Sequence, residues 1–240
     1  AGLEASFERC LSTLWVAYHP IVAAPARRIF AFEALMRSKE PSLPHPGAVI
    51  DAAVRLDTLD TLGRTIRARV AGELVQAPAD ARIFVNLHVT DLMDPSLSSP
   101  DSPLSQHAHR VVLEMTERAS LDAVKDVRAR IADLRALGYQ IAVDDLGAGY
   151  AGLSSFALLE PEFVKLDMSL VRGLDTSSTK QRVIRSMTSL SHEMGISVVA
   201  EGVETIEEAK VLIDLECDYL QGFLYARPSY PFPDPKWPDP

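Results

Sequence analysis

Polar and charged side chains follow almost every strongly apolar run of this 240-residue chain. Each lies at or near the end of a predicted strand, and the set consists of carboxylates, two amides and one lysine: Glu33, Asn86, Glu114, Asp144, Asp145, Lys165, Glu201 and Gln221. A single acidic residue in such a place is often the cap of the next helix. Capping does not explain so many at successive strand ends, so the pattern indicates one shared site.

Carboxylates that are brought together repel one another, and protonation or a bound cation relieves the repulsion. Ligand sets made only of oxygen suit Mg²⁺ or Mn²⁺ better than Zn²⁺. The adjacent Asp144 and Asp145 allow one carboxylate to bridge two metals while its neighbour binds only the second. A two-metal site activates water and stabilises both oxygens of an in-line displacement at phosphorus. The pattern therefore predicts metal-dependent cleavage of a phosphodiester.

Short apolar runs alternate along the chain with longer stretches of helical periodicity. The predicted strands are Trp15–Val22, Ile29–Leu35, Ile83–Leu87, Val111–Met115, Gln140–Val143, Phe163–Leu166, Ser197–Ala200 and Asp218–Leu220. The predicted helices are Ala48–Arg55, Leu59–Gln76, Leu121–Leu137, Thr179–Met194 and Ile206–Leu215. For the third helix, Ser120 is the predicted N-cap and Gly138 the predicted stop.

Eight strands with helices between most of them predict an α/β fold, a modified (β/α)8 TIM-like barrel. The segment 23–28 is too short for a crossover helix, so the first strand should pair antiparallel with the second. In such a barrel the carboxyl ends of the parallel strands meet at one mouth, where active sites lie. A doubly wound open sheet is the alternative architecture.

The composition limits the possible functions. Hydrophobic residues at 47% and charged residues at 24% are typical of a globular domain. A net charge of −9 argues against binding to polymeric nucleic acid, and no apolar run is long enough to predict a membrane span. Cys10 and Cys217 have no metal-ligand spacing, so a reducing cytoplasm is expected. Six prolines between positions 228 and 240 predict an extended C-terminal tail.

Seven spaced motifs resemble the EAL-domain family of cyclic di-GMP phosphodiesterases. They read Glu33-Ala34-Leu35, Val85-Asn86, Glu114-Met115-Thr116-Glu117, Asp144-Asp145-Leu146-Gly147, Val164-Lys165-Leu166-Asp167, Glu201-Gly202-Val203-Glu204 and Gln221-Gly222-Phe223. The resemblance covers nearly the whole chain. It implies an EAL-type phosphodiesterase domain over residues 1–228, followed by the Pro-rich tail 229–240.

The family resemblance implies hydrolysis of cyclic di-GMP to linear pGpG with Mg²⁺ or Mn²⁺, through two bound ions. It places Glu33, Asn86, Glu114 and Asp144 on the first metal and Asp144, Asp145 and Glu201 on the second. Lys165 would help to position and deprotonate the attacking water. The family also implies a homodimer, and fused or partner regulatory domains.

Further roles follow from the same resemblance. Arg37 would hold a substrate phosphate, while Glu204 and Gln221 would support the substrate or the water shell of the metals. Glu117 would anchor the loop after Asp145, which links the metal site to dimerisation in the family.

The chain departs from the family pattern at several positions. His19 stands where a substrate-contacting Gln is usual, and Leu146 and Ala148 replace the usual Phe and Thr. Two other functions remain open: a catalytically silent cyclic di-GMP receptor or protein-interaction module on the same fold, and an unrelated barrel hydrolase such as a glycosidase. Because the ligand set is complete, an enzyme is favoured over the receptor.

Overall fold

The computed structural model describes residues 2–116, 121, 124–147 and 152–238. Its eight strands form a closed barrel in chain order. The strands are β1 (Trp15–Ala23), β2 (Arg28–Arg37), β3 (Arg82–Asn86), β4 (Val111–Thr116), β5 (Gln140–Leu146), β6 (Phe163–Leu166), β7 (Ser197–Ala200) and β8 (Tyr219–Leu220). All eight predicted strands are therefore confirmed, and so is the closed barrel over the open sheet.

The first strand runs against its two neighbours. Strands β1 and β2 pair antiparallel, with His19 opposite Glu33, and β1 also pairs antiparallel with β8 through Val22 and Leu220. The remaining neighbours are parallel. The short connection between β1 and β2 therefore forms an antiparallel hairpin, as its length predicted. As a result, β2 runs in the same direction as β3 to β8.

Eight helices lie in the described part of the chain. They are α1 (Gly2–Thr13), α2 (Pro46–Arg55), α3 (Leu59–Glu73), α4 (Val127–Leu137), α5 (Gly152–Leu159), α6 (Met168–Val171), α7 (Ser178–Glu193) and α8 (Ile206–Asp214). A 3-10 turn, Leu74–Gln76, continues α3. None of the helices among these residues is long and apolar enough to cross a bilayer.

The predicted start of α4 was wrong. The helix begins at Val127 rather than at Leu121, because Asp126 adopts the left-handed conformation with φ of 58° and interrupts the helical backbone. The predicted N-cap Ser120 lies outside the described residues. The predicted stop is confirmed, since Gly138 ends the helix with φ of 107°.

Two apolar layers hold the barrel. The larger one packs the outer faces of the strands against the helices. The smaller one lies inside the barrel and is largely aromatic, with the rings of Phe30 and Tyr219 stacked at 3.7 Å and Phe84 and Phe163 packed around them. Phe30, Phe163 and Tyr219 lie near the starts of their strands, so this layer fills the end of the barrel opposite the mouth.

The C-terminal tail packs on the barrel as an extended segment. The backbones of Ser229 and Tyr18 exchange two hydrogen bonds, of 2.8 and 3.1 Å. The ring of Phe232 lies 4.1 Å from that of Tyr18 and 5.1 Å from that of Phe32, and Trp237 packs against Tyr225. The tail therefore covers the outer face of β1, a strand that no crossover helix follows.

Candidate metal centre

The predicted strand-end residues converge at the mouth of the barrel. Pairing between parallel strands places Asn86 level with Glu114, and Thr116 level with Asp144. Glu33 lies opposite Phe84 on β3, and its side chain reaches the same mouth, where Asn86 Nδ2 donates to its Oε1. The hairpin between β1 and β2 therefore brings the first carboxylate to the others, as the barrel geometry required.

Lys165 lies at the centre of this cluster, and its side chain has no solvent exposure. Its Nζ is 2.6 Å from Glu201 Oε1 and 3.0 Å from Glu114 Oε1. It is also 3.4 Å from Glu33 Oε2 and 3.5 Å from Asp144 Oδ1. One buried ammonium thus faces four carboxylates, and it supplies the charge that lets them stay together.

The carboxylates form two groups that share one member. Glu33, Glu114 and Asp144 bring one oxygen each within 4.8 Å of one another, and Asp144, Asp145 and Glu201 do the same. An aspartate common to both groups can bridge two ions. Asp144 is the member that the two groups share, and its role as a bridging ligand stays a prediction of the sequence.

Two amides orient Glu33. Gln221 Nε2 donates to Glu33 Oε2 at 2.9 Å, and Asn86 Nδ2 donates to Glu33 Oε1 at 3.3 Å. With its nitrogen used in this way, the amide oxygen of Asn86 is the atom left to bind a cation. Gln221 is fully buried behind Glu33, so it acts here on the carboxylate rather than at the solvent-facing edge.

The loop after β5 holds the second carboxylate group in place. Asp145 is left-handed, with φ of 58°, and its backbone N–H donates to Asp144 Oδ1 at 2.8 Å. Gly147 has φ of 104°, and a Cβ there would lie 2.5 Å from Leu170 Cδ1. Glycine is therefore required where the chain turns away from the aspartate pair.

The loop after β3 is held by buried ion pairs. Arg67 on α3 contacts Asp91 Oδ1 at 2.9 Å and Asp94 Oδ2 at 2.6 Å, and all three side chains are buried. Because Asp91 and Asp94 follow Asn86 closely in the chain, these contacts fix the loop that leads away from the mouth.

The cluster carries more negative charge than its lysine can balance. Burial raises the pKa of Glu201 to about 8, and the neighbouring carboxylates add to the rise while Lys165 opposes it. Burial and the same neighbours raise the pKa of Glu114 well above its usual range. For Glu33, burial alone would raise the pKa, but Lys165 and the Gln221 hydrogen bond lower it. Without a further cation, the site retains protons on some of its acids.

The surroundings of Glu114 indicate whether the clustered residues could hold a metal ion. Its two oxygens and Lys165 Nζ are buried and have no hydrogen-bond partner of good geometry among the described residues, although Nζ lies within ion-pair distance. A buried carboxylate without hydrogen bonds is costly unless a charge or a metal compensates it. Oxygen ligands around such a carboxylate are the donor set of a hard divalent cation. The residues therefore fit a metal.

The remaining predicted residues lie at the edge of the mouth. His19 is level with Glu33, and its Nε2 lies 3.0 Å from the Ala226 carbonyl oxygen. Burial lowers the pKa of His19, with Glu33 opposing. Arg37 ends β2 and donates to the carbonyl of Met36. Glu117 lies outside the described residues, as does Ala148.

Glu204 has a partner that the sequence did not reveal. Arg172 donates to both of its carboxylate oxygens, at 2.5 and 2.6 Å, and also to the carbonyl of Gly202. Arg172 lies a few residues after β6. No pattern in a single sequence links it to a residue 32 positions later. In this arrangement both carboxylate oxygens of Glu204 are engaged by Arg172.

Comparisons with known proteins agree with this geometry. A family model described as the EAL domain matches residues 4–228. BlrP1 of Klebsiella pneumoniae, solved with calcium and cyclic di-GMP, superposes with a TM-score of 0.81 at 31% identity, covering 92% of this chain and 57% of that chain. The same protein has been solved with manganese and cyclic di-GMP.

Two further relatives carry related names. The PaMucR phosphodiesterase, solved with c-di-GMP, superposes with a TM-score of 0.80 at 27% identity, covering 95% of this chain and 98% of that chain. PdeG of Escherichia coli K12, a probable cyclic di-GMP phosphodiesterase, is 28% identical over 88% of this chain and 44% of its own length. This chain spans less than half the length of the curated relatives that it matches.

Proposed function

Because this chain belongs to the EAL domain family, we propose that it hydrolyses one phosphodiester bond of cyclic di-GMP to give linear pGpG, with Mg²⁺ or Mn²⁺. The observation that carries the proposal is the pair of carboxylate groups that share Asp144 around the buried Lys165. Related structures that contain cyclic di-GMP together with calcium or manganese support the choice of substrate and of a divalent metal.

The proposed ligands follow the two groups. Glu33, Glu114 and Asp144 would hold the first ion together with the amide oxygen of Asn86, and Asp144, Asp145 and Glu201 would hold the second. Divalent ions held there supply Lewis acidity, which makes water nucleophilic and neutralises charge on the phosphate. Gln221 donates to one oxygen of Glu33, and so it would hold that carboxylate in the orientation in which it binds the first ion.

Lys165 and Glu201 are the groups that would position the attacking water and take up its proton, the lysine by donating to the water and the glutamate as the base. Their Nζ and Oε1 atoms are 2.6 Å apart, a distance that suits proton sharing between them. Burial alone would lower the pKa of Lys165, but the four carboxylates raise it well above its usual value. Lys165 is therefore an ammonium in this arrangement, and it positions the water by donating to it. The water oxygen would attack phosphorus while one of its protons passes to the Glu201 carboxylate, the bond to the ribose 3′ oxygen would break, and that oxygen would take up a proton from solvent.

Arg37 and His19 would contact the substrate at the mouth. The guanidinium of Arg37 is the cation available to a phosphate oxygen at the end of β2. The neutral imidazole of His19 offers one hydrogen bond where the family usually has an amide. A contact from Glu204 would first require Arg172 to release that carboxylate, because both of its oxygens are engaged.

Chromatography of the nucleotide products tests the proposal. With Mn²⁺ or Mg²⁺ the protein should convert cyclic di-GMP to pGpG, and EDTA should stop the reaction. Glu33→Ala should abolish turnover without unfolding the protein, as judged by circular dichroism. Glu207→Gln, on the exposed face of α8, serves as a matched control. Binding of cyclic di-GMP without turnover would support the receptor instead, and unchanged turnover in Glu33→Ala would refute the metal assignment.

Other features remain predictions of the sequence. They are the homodimer, the fused or partner regulatory domains, the cytoplasmic location, the role of Glu117 and the preference between Mg²⁺ and Mn²⁺.

A further inference from the structure

A cavity lies on the outside of the barrel, between α8, the connection from β1 to β2, and the C-terminal tail. Its volume is about 260 Å³. In a regular barrel a helix follows each strand, but among the described residues an extended tail follows β8, and it leaves this space beside α8. None of the residues that line the cavity takes part in the proposed chemistry.

One wall of the cavity is a stripe of residues along α8. They are spaced three and four positions apart, so they share one face of the helix: Ile206, Ala209, Lys210 and Ile213. Three of them are apolar. Lys210 is exposed, and its ammonium has no carboxylate partner among the described residues. An apolar wall with an unpaired cation suits a ligand that combines an apolar body with an anionic group.

Two aromatic side chains of the tail region also line the cavity. The rings of Tyr225 and Trp237 lie 6.3 Å apart at an angle of 63°. The backbone N–H of Lys236 donates to the Tyr225 carbonyl at 2.7 Å, and Arg27 Nη2 donates to the Trp237 carbonyl at 3.1 Å. These hydrogen bonds fix the backbone that carries both rings, and a preformed wall loses little entropy when a ligand binds.

The hydroxyl of Tyr225 is the observation that points to a ligand. This residue is only 2% exposed, yet its hydroxyl makes no hydrogen bond to any residue that the structure describes. Buried tyrosine hydroxyls usually have a partner, because a buried polar group without one is costly. Burial raises the pKa of Tyr225 to about 12, so at neutral pH the hydroxyl keeps its proton and can donate. An acceptor oxygen of a ligand in the cavity would satisfy it.

We propose that this cavity binds a small aromatic carboxylate of one or two rings. The rings lie between Trp237 and the apolar stripe of α8, the carboxylate accepts a hydrogen bond from the Tyr225 hydroxyl, and Lys210 balances its charge. The volume supports a ligand of this size, since about 150 Å³ is enough for benzene and pockets for drug-sized ligands begin at about 300 Å³. The site is independent of the proposed function.

Isothermal titration calorimetry with 2-naphthoate as the probe tests the site. The wild type should bind this acid more tightly than 2-naphthalenemethanol, a neutral compound with the same rings. Tyr225→Phe should weaken binding of the acid by about 10-fold, the loss expected for one hydrogen bond to a charged group. Lys210→Met should weaken it by roughly 2- to 5-fold, as for an exposed ion pair, and leave the alcohol within about twofold. Lys125→Met, at an exposed position before α4, is the control for loss of a lysine and should bind both probes as the wild type does.

A variant that fills the cavity locates the site. Ile213→Trp should abolish binding of both probes without changing the circular dichroism spectrum, and Val183→Trp, at an exposed position of α7, is its matched control. A wild type that does not bind 2-naphthoate, or unchanged binding in Ile213→Trp, would overturn the site. Equal affinity of the wild type for the acid and the alcohol would overturn the carboxylate as the ligand class.

Tyr225→Phe decides the matter if Ile213→Trp does not fold, because unchanged affinity of that variant for the acid would also overturn the proposal. None of these measurements uses cyclic di-GMP. Failure of the proposed function would therefore leave the binding results unaffected.

Discussion

Replacing Glu201 by glutamine should stabilise the metal-free protein, and the gain should grow as the pH rises. Burial raises the pKa of Glu201 to about 8 in the folded state, from an ordinary value of 4.5. The folded protein therefore keeps a proton that the unfolded chain has released, and its stability falls as the pH rises between these two values. The amide of glutamine does not titrate, so Glu201→Gln lacks this loss.

The size of the effect follows from the two pKa values. One unit of pKa shift corresponds to about 1.4 kcal/mol. Between about pH 5 and pH 7.5 the unfolded glutamate goes from mostly to fully ionised, while the folded one remains largely protonated. The wild type should therefore lose roughly 3 kcal/mol of its free energy of unfolding relative to Glu201→Gln over this interval. Glu114, whose pKa is also raised, acts in the same direction in both proteins.

Urea unfolding followed by circular dichroism, in EDTA at several pH values across the interval, measures this difference. Glu207→Gln on the exposed face of α8 is the control, and its difference from wild type should not change with pH. Mn²⁺ should reduce the loss in the wild type, because a bound cation stabilises ionised carboxylates. The electrostatic reasoning would be refuted if the difference in free energy of unfolding between the wild type and Glu201→Gln did not change with pH. It would also be refuted if the wild type became more stable relative to Glu201→Gln as the pH rose.

Two other variants separate the roles of charge and of packing. Lys165→Met should abolish turnover yet raise the affinity for Mn²⁺ by tenfold or more, because it removes an ammonium from among the ligands; weaker Mn²⁺ binding by titration calorimetry would contradict this. Phe232→Ala should lower the free energy of unfolding by about 2–3 kcal/mol, somewhat less than for a fully buried ring, because the side chain packs on Tyr18 and Phe32 while partly exposed. Chemical denaturation checks this, and an unchanged midpoint would mean that the tail contributes no packing energy.

The strands and their polar ends were predictable because each depends on local pattern. Apolar runs such as Val111–Met115 mark strands, and chain direction alone then places Glu114 at the mouth. The start of α4 was not predictable, since the spacing of apolar residues from Leu121 onward is helical while the left-handed Asp126 interrupts the backbone. The helix α1 was missed, although Phe7 and Cys10 bury one face of it against neighbouring helices.

The partners within the site depend on distances that a sequence does not contain. The order of residues placed Lys165 among the polar residues at the strand ends, but it did not show that four carboxylates would surround its Nζ. Arg172 and Glu204 come together only because the loops after β6 and β7 are neighbours in the closed barrel. The same applies to Phe223 and His19, which come close because β8 pairs with β1 and closes the barrel.

The antiparallel first hairpin gives the C-terminal tail a part in placing the metal ligands. A regular barrel covers each strand with the helix that follows it, but no helix follows β1 here, and the tail and α3 cover its outer face instead. Tyr18, which the tail contacts through its backbone and ring, lies next to His19 and opposite Ala34, and Ala34 adjoins Glu33. The strand pair that carries the first carboxylate is therefore clamped from outside by residues 229–232, beyond the segment that the family model matches. Loosening the tail should therefore displace Glu33 more than the carboxylates on β4 to β7, because those strands are covered by their own helices.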